Sequence, residues 1–433
     1  MGKSPQVNRE VWLKDIEDLI ANLEMLFEYS EVNIVAFKKI IKKFQKYIEH
    51  GNVSNVWTVI KAYRFFSNSE LDQVLLAKAK KELRKSVPEM ALTPTEALPV
   101  ADQGNVPTVT KLDLDALPGG QISKLWLAVY EDGTGSLIRI PVIVAKGVKY
   151  GPTVGMTAAL HGNELNGIPL IHRLFREINP QQLHGVLVAA TVTNVPGYVR
   201  NQRGFSDGTD LNRIMPGKAN GSSPQVYAYN LMERLIKKFD YLLDIHTASA
   251  GRVNSLYARA DMINPKTKKM AILQNPQIIV HNTSPDGSLR GAAMSNDIPA
   301  ITVEIGDPSK FQKRFVKNAL LGVTNILCHL NMIPNEVDQP EYDPVVCSRS
   351  YWIFASKGGV LTVQPEIYTW VRKGEMIAQL HSLFGDLVET YYAPEDGVVV
   401  GKSVNPVCES GSRIIHLGVV EDSFAKEAHD GHL

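Results

Sequence analysis

The 433-residue chain has only three cysteines, Cys328, Cys347 and Cys408, which lie far apart and are odd in number. This usage argues against a disulfide framework, and the lack of a CxxC pair excludes a zinc site built from paired thiolates. No run of about 18 apolar residues occurs, and the first residues lack the apolar core of a secretory signal. The formal net charge of +1 gives no general attraction to nucleic acid or to a membrane. These absences predict a soluble, cytoplasmic protein without a nucleic-acid or membrane partner.

Composition and periodicity change three times along the chain. Residues 8–85 contain almost no proline or glycine and place apolar residues at helical spacing, so we predict a helical domain over 1–86. The proline-marked segment 87–110 is typical of a linker. Strands and helices then alternate, which predicts an α/β domain over 111–340 with a mixed, largely buried sheet and flanking helices. Short strands and glycine-marked turns predict a small β domain over 341–425, built on a weak internal repeat.

The α/β region is predicted from the apolar segments themselves. Two helical stretches lie between them, "NGIPLIHRLFREI" and "PQVYAYNLMERLIKKF". The strand-like segments are "LWLAVY", "LIRIPVIVA", "TVGMTAAL", "GVLVAATV", "YLLDIHT", "QIIVHN" and "AITVEIG".

A histidine and a carboxylate stand three residues apart directly after one of these strands, in "HGNE". We expect Gly162 to let the chain turn, so that His161 and Glu164 converge on one point. His246 ends another strand and supplies a third ligand, with Asp244 on the same side of that strand. Two imidazoles and a carboxylate with one open position are typical of catalytic zinc. Each residue alone has an ordinary alternative, since strand-end histidines and His-x-x-Glu pairs are common by chance.

Glu304 ends a third apolar strand, in "AITVEIG". A carboxylate in such a strand is costly unless it has a partner. Sites in open α/β sheets lie beyond the carboxyl ends of the strands, where His161 and His246 are also expected. A carboxylate beside a catalytic metal usually acts as the general base.

A loop-like segment, residues 194–217, is rich in proline and glycine yet contains Arg203, Asp210, Asn212 and Arg213. Arginine forks are suited to binding carboxylates and to stabilising an oxyanion. The alternative is a solvated loop.

Four motifs in order, "HGNE", "DLNR", "DIHT" and "VEIG", resemble the succinylglutamate desuccinylase/aspartoacylase family, a branch of the zinc carboxypeptidase fold. The resemblance covers residues 105–420, including the β-rich end. It implies one zinc ion per chain, bound by His161, Glu164 and His246, with Glu304 as the general base.

The resemblance also assigns roles around the substrate. Arg203 corresponds to the arginine that polarises the scissile carbonyl, and Asn212, Arg213 and Arg290 correspond to substrate-binding residues. The segment "RGFSDGTDLNR" is longer than in aspartoacylases, which leaves the acyl group and the amino acid open.

The leading hypothesis is a zinc-dependent amidohydrolase that cleaves an N-acyl amino acid or a related small molecule. No GxSxG motif is present for a serine nucleophile. A carboxypeptidase acting on a peptide or modified peptide is the alternative enzyme, and a non-catalytic sensor that retains the pocket is the alternative of another class. The intact Glu304 argues against the sensor. The oligomeric state stays open.

Four lysines in the helical region, Lys39, Lys42, Lys43 and Lys46, form one stripe of a helix, which we call the lysine stripe. Their alternative is a plain solvated face. The segment "VNIVAFKKIIKKFQK" resembles an SPX-domain helix whose lysines bind inositol polyphosphates. The resemblance implies an inositol polyphosphate or polyphosphate ligand that regulates or localises the hydrolase.

Overall fold

The computed structural model describes residues 106–334, 336–338 and 343–421. The predicted helical domain with its lysine stripe lies outside the described residues. Strands and helices alternate from Thr108 onward. The strands of the first part are β1 Thr108–Val109, β2 Gln121–Glu131, β3 Leu137–Lys146, β4 Lys149–Ala158, β5 His184–Ala190, β6 Tyr241–His246, β7 Arg252–Asn254, β8 Leu256–Ala260, β9 Ile278–His281, β10 Ala300–Ile305 and β11 Val345–Cys347. The helices are α1 Gly167–Glu177, α2 Val195–Val199, α3 Ser223–Arg234, α4 Pro265–Leu273, α5 Leu289–Met294 and α6 Lys313–His329, with short 3-10 turns at Leu211–Arg213 and Ile236–Lys238.

Ten of these strands form one mixed sheet in the order β1-β2-β3-β5-β4-β6-β10-β8-β9-β11. At its centre β5, β4, β6 and β10 run parallel, while β3 is antiparallel to β5 and β8 is antiparallel to β10. The predicted mixed sheet is therefore confirmed. All seven predicted strands are present, and the two predicted helical stretches correspond to α1 and α3.

The central strands are buried on both faces because helices cover each side. Alternate residues of a strand point to opposite faces. On β6, Leu243 and Ile245 pack with α1, α4 and α6, whereas Leu242 packs with α3 and α5. The sheet is thus the middle layer of three, and its apolar side chains account for most of the core.

The C-terminal region forms two smaller sheets. One has the order β12-β19-β17-β14 and the other β16-β15-β13-β18. Their strands are β12 Arg349–Phe354, β13 Gly359–Val363, β14 Trp370–Val371, β15 Met376–His381, β16 Leu387–Tyr392, β17 Gly397–Ser403, β18 Val407–Cys408 and β19 Arg413–Val419.

The two glycine-marked turns of this region have matching roles. Gly374, between β14 and β15, and Gly411, between β18 and β19, both have positive φ, at 81° and 86°, which favours glycine. The short strand before each turn pairs with the other half of the region, β14 with β17 and β18 with β13. This reciprocal pairing agrees with the predicted internal repeat.

Strand β7 joins the C-terminal sheet although it comes from the α/β region. Arg252 pairs with Ser403, and Asn254 pairs with Gly401, both on β17. The segment that follows His246 is therefore hydrogen-bonded to the C-terminal strands.

Among the described residues, the helices are too short or too polar to span a membrane.

Candidate active site

Three neighbouring parallel strands, β4, β6 and β10, end at the same edge of the large sheet. His246 is the last residue of β6, and Glu304 on β10 is its register partner. His161 follows the end of β4 by three residues. Asp244 and His246 alternate on β6 with the core residues Leu243 and Ile245, so the polar side chains point away from that core. The structure thus gathers the predicted residues at the carboxyl edge of the sheet.

The turn that carries His161 and Glu164 depends on a close backbone approach at Gly162. A Cβ added there would lie 2.1 Å from the carbonyl carbon of Gly197 and 2.2 Å from the backbone nitrogen of Tyr198. The left-handed conformation in this turn belongs to Ala159, with φ of 50°. Glycine is needed because α2 packs against the turn, and not for backbone freedom at position 162 as expected from the sequence.

The side chains of His161, Glu164 and His246 converge, and all three are buried. His161 Nδ1 lies 3.0 Å from Glu164 Oε1, and His246 Nδ1 lies 2.9 Å from Glu164 Oε2. The two Nδ1 atoms are 3.1 Å apart. The Nε2 atoms of both imidazoles point outward to other partners, so Nδ1 faces the centre of the group in each case.

Each histidine is oriented by a second carboxylate. His161 Nε2 lies 3.0 Å from Asp210 Oδ1, and His246 Nε2 lies 2.9 Å from Asp244 Oδ2. The hydroxyl of Thr157 donates to Asp244 Oδ1 at 2.7 Å, which anchors that carboxylate in the sheet. Carboxylate–imidazole pairs of this kind hold metal-binding histidines in one tautomer and one orientation.

The donor set fits zinc. Two imidazole nitrogens and one carboxylate oxygen lie within 4.8 Å of one another in a buried site. Zinc accepts nitrogen and carboxylate ligands and, in catalytic sites, usually has three from the protein. These buried side chains lose hydration, and a cation bound among them would offset part of that cost.

Charges in the site shift several pKa values. Burial alone would raise the pKa of Glu164, but the neighbouring His161 and His246 lower it well below its usual range. The pKa of Asp210 is lowered in the same way, by His161 and Arg203 acting against burial. The pKa of Glu304 is raised, chiefly by burial, with Glu164 adding to the effect and His246 opposing it. Glu304 therefore holds a proton more readily than an exposed glutamate does.

Arg203 lies at the edge of the candidate metal-binding group, which consists of His161, Glu164 and His246. Its Nη1 donates to Glu164 Oε1 and to Ser249 Oγ, both at 2.7 Å, and its Nη2 lies 3.1 Å from Asp210 Oδ2. The side chain is partly exposed, so it borders both the buried group and the solvent.

The other predicted substrate residues differ in their surroundings. Asn212 Oδ1 accepts from the backbone of Leu289 at 2.7 Å, and Arg213 is exposed. Arg290 is almost fully buried. Its guanidinium donates to Asn282 and to Asp286, the latter at 2.6 Å. The known partners of Arg290 are therefore protein groups, and its contact with substrate stays a prediction.

Several neighbours of the site were not expected from the sequence. Asp210 was noted only as a loop residue, although it orients His161. Arg252, Arg259 and Arg413 also lie close enough for their charges to act on site residues. Arg413 comes from the C-terminal strands, and no local pattern around it indicates a site.

The sequence is similar to those of known proteins. Residues 150–330 match the model of the succinylglutamate desuccinylase/aspartoacylase catalytic domain. The N-alpha-acetyl-L-2,4-diaminobutyric acid deacetylase of Halomonas elongata is 22% identical over 334 residues, which cover 73% of this chain and 96% of that protein.

Solved structures share the fold. The product-bound ectoine utilization protein of Ruegeria pomeroyi aligns with a TM-score of 0.64 at 22% identity, over 70% of this chain and 98% of that one. A succinylglutamate desuccinylase/aspartoacylase of Rhodobacter sphaeroides aligns with a TM-score of 0.65 at 19% identity, over 72% of this chain and 99% of that one. Residues 150–330 therefore match the catalytic domain of the succinylglutamate desuccinylase/aspartoacylase family, as the four ordered motifs predict.

Proposed function

We propose that this protein is a zinc-dependent hydrolase that cleaves the amide bond of an N-acyl amino acid or a related small molecule. The observation that carries the proposal is the buried group of His161, Glu164 and His246 with Glu304 beside it on the next strand. The name of the Halomonas elongata relative, a deacetylase of an N-acetylated amino acid, supports this reaction class. No feature of the site favours a peptide substrate over a small molecule.

The residues of the site have separate chemical roles. Zinc held by His161, Glu164 and His246 would supply Lewis-acid activation of water and of the scissile carbonyl. Glu304 accepts a proton from the attacking water and returns it to the leaving amine nitrogen. Its raised pKa suits both steps, because a base with a pKa nearer neutrality also serves as an acid. Asn254 Nδ2, 3.4 Å from Glu304 Oε2, helps to hold the carboxylate in place.

The arginines stabilise the negative charge of the reacting carbonyl and of the substrate carboxylate. Arg203, at the edge of the metal-binding group, donates to the carbonyl oxygen as that oxygen gains charge during attack. Asn212 and the exposed Arg213 bind the carboxylate of the amino acid. We assign Arg290 to substrate binding as well, with Asn282 and Asp286 fixing its guanidinium.

Zinc content and turnover together test the proposal. We expect about one zinc per chain in the purified protein and much less in His246→Ala. Glu304→Gln should keep its zinc and lose at least ~10²-fold in kcat on a panel of N-acyl amino acids. Glu131→Gln, an exposed carboxylate at the end of β2, is the matched control and should behave as wild type. Full zinc in His246→Ala, or full turnover in Glu304→Gln, would contradict the assignment.

A further inference from the structure

Two arginines near the site, Arg252 and Arg413, make no ion pair with a carboxylate of the described residues. Arginine ion pairs in the described part of the chain are made by Arg173, Arg203, Arg290 and Arg349. Arg252 and Arg413 make none there. Positive charge that is left unpaired near a cleft is a common means of attracting and binding anions.

Arg252 and Arg413 are held together by one aromatic ring. The Cζ atom of Arg252 lies 5.6 Å from the centroid of the Trp352 ring, and that of Arg413 lies 5.4 Å from it. Trp352 is itself stacked on His416, with centroids 5.1 Å apart and ring planes at 13°. Contact with an aromatic face attracts a guanidinium but leaves its charge in place. Trp352 therefore contacts both guanidiniums and leaves both charges in place.

Strand pairing places these two arginines in the same C-terminal sheet. Arg252 begins β7, six positions after the candidate ligand His246, and pairs with Ser403 on β17. Arg413 begins β19, which lies between β12 and β17 in the same sheet. The C-terminal strands thus place one arginine next to another that belongs to the α/β region.

Charge effects agree with this placement. The pKa of Arg413 is lowered by burial and by the positive charges of Arg203, Arg213 and Arg259. The pKa of Arg252 is lowered by burial and by Arg413 and Arg203, while Glu164 and Glu304 oppose the change. The charge of Arg252 therefore acts on Glu164 and Glu304, and the charge of Arg413 acts on Arg203, which contacts Glu164.

We propose that Arg252 and Arg413 form an anion subsite beside the metal centre and that this subsite binds a second carboxylate of the substrate. A planar guanidinium matches a carboxylate with two parallel hydrogen bonds, and a neighbouring cation strengthens the attraction. The amino-acid carboxylate is already assigned to Asn212 and Arg213, so the additional charge belongs elsewhere on the substrate. This inference rests on the proposed function, because it names the kind of N-acyl amino acid that the same site accepts.

The second carboxylate has two sources, the acyl group or the amino-acid side chain. N-succinyl-L-alanine carries it on the acyl group, N-acetyl-L-aspartate carries it on the side chain, and N-acetyl-L-alanine lacks it. For the zinc-loaded full chain, we expect kcat/KM for one of the first two to exceed that for N-acetyl-L-alanine by about tenfold or more, the effect of one charged hydrogen bond. The preferred compound identifies the source.

Replacing Arg252 or Arg413 tests whether these arginines cause the preference for a second carboxylate. In Arg252→Ala and Arg413→Ala, kcat/KM for the preferred compound should fall by about tenfold or more, with a change below about twofold for N-acetyl-L-alanine. Arg413→Lys should recover part of the loss. Arg372→Ala is the matched control. Arg372 is exposed and follows Val371, which pairs with Gly397 at the far end of β17, roughly 20 Å along the strand from Ser403.

Binding to metal-free protein separates this inference from the proposed function. Calorimetry with succinate and with propionate should show a preference for succinate that Arg413→Ala removes and Arg372→Ala keeps. Equal binding of the two acids by wild type, or an unchanged preference in both Arg252→Ala and Arg413→Ala, would overturn the subsite. A wild-type protein that shows the arginine-dependent preference but hydrolyses no N-acyl amino acid would support the subsite and refute the hydrolase.

Discussion

Replacing Asp244 by asparagine should weaken zinc binding without unfolding the protein. Asp244 is fully buried and accepts two hydrogen bonds, from Thr157 Oγ1 at 2.7 Å and from His246 Nε2 at 2.9 Å. Asparagine has the same shape, so the sheet need not move. The substitution removes the charge that stabilises a proton on Nε2 of His246 and leaves the opposite nitrogen, Nδ1, facing Glu164.

The size of the increase in the Kd for zinc depends on which nitrogen of His246 carries the proton. If the asparagine amide nitrogen faces Nε2, that atom must accept, and the imidazole proton moves to Nδ1, where zinc would bind. If the amide is turned the other way, only the charge is lost. A hydrogen bond to a charged group contributes about 1.5–3 kcal/mol. We therefore expect the Kd for zinc to rise by roughly 10- to 100-fold, the usual effect of removing such a supporting carboxylate.

Competition with a chromophoric zinc chelator at pH 7.5 measures this Kd. Asp240→Asn is the control, because Asp240 lies just before β6, at the opposite end from His246, and accepts from the backbone nitrogen of Thr153 at 2.7 Å. It should bind zinc as wild type does. Thermal unfolding of the metal-free proteins checks that both variants fold. Wild-type zinc affinity in a folded Asp244→Asn protein would refute the assigned role of Nδ1 and of the carboxylate behind it.

Three further outcomes are expected. Gly162→Ala should lower the zinc content and the Tm, because the added Cβ would meet the backbone of Gly197. We expect the free energy of unfolding to fall by about 1–3 kcal/mol. Gly133 lies in open space, so Gly133→Ala should change neither quantity. His416 is kept neutral in the fold, since burial and the charges of Arg259 and Arg413 lower its pKa well below 6.5. The unfolded state therefore takes up a proton that the folded state does not, so the free energy of unfolding should fall by up to about 1.4 kcal/mol per pH unit below about pH 6.5. Urea unfolding of metal-free His416→Phe should show a smaller dependence on pH. The same pH dependence in both proteins would contradict this. Calorimetry with inositol hexakisphosphate at low salt should give heat that depends on the lysine stripe and weakens with salt; equal heat from Lys42→Ala/Lys43→Ala/Lys46→Ala would leave only a solvated face.

The large sheet and the metal-binding group were predictable because their determinants are local. Each strand that carries a candidate ligand or base is a short apolar run, and its polar residue comes at or just after the end of that run. Parallel neighbours bring such ends to one edge. The sequence therefore predicts that His161, His246 and Glu304 lie together, and the two-residue period of a strand places Asp244 on the same side as His246.

Other parts of the site depend on contacts that local patterns do not encode. The strand β8, "LYARA", has five residues and contains an arginine, so it lacks the apolar run that marks its neighbours. Gly162 was expected to permit a turn, but its requirement comes from α2, more than 30 residues further along. Asp210 orients His161 from a loop whose course is set by many backbone contacts rather than by periodicity.

The anion subsite illustrates this limit most clearly. Arg252 and Arg413 are 161 positions apart in the chain, and each alone is an ordinary arginine at the start of a strand. They meet because β7 leaves the α/β region and pairs with β17, while β19 pairs with the other edge of β17. In the proposed enzyme, the pairing that joins the C-terminal strands to the α/β region would bring those strands to the substrate. A change in the C-terminal strands near Arg413 should therefore alter which N-acyl amino acid is preferred. The proposed zinc ligands and Glu304, which lie on β4, β6 and β10 or at their ends, should keep their roles.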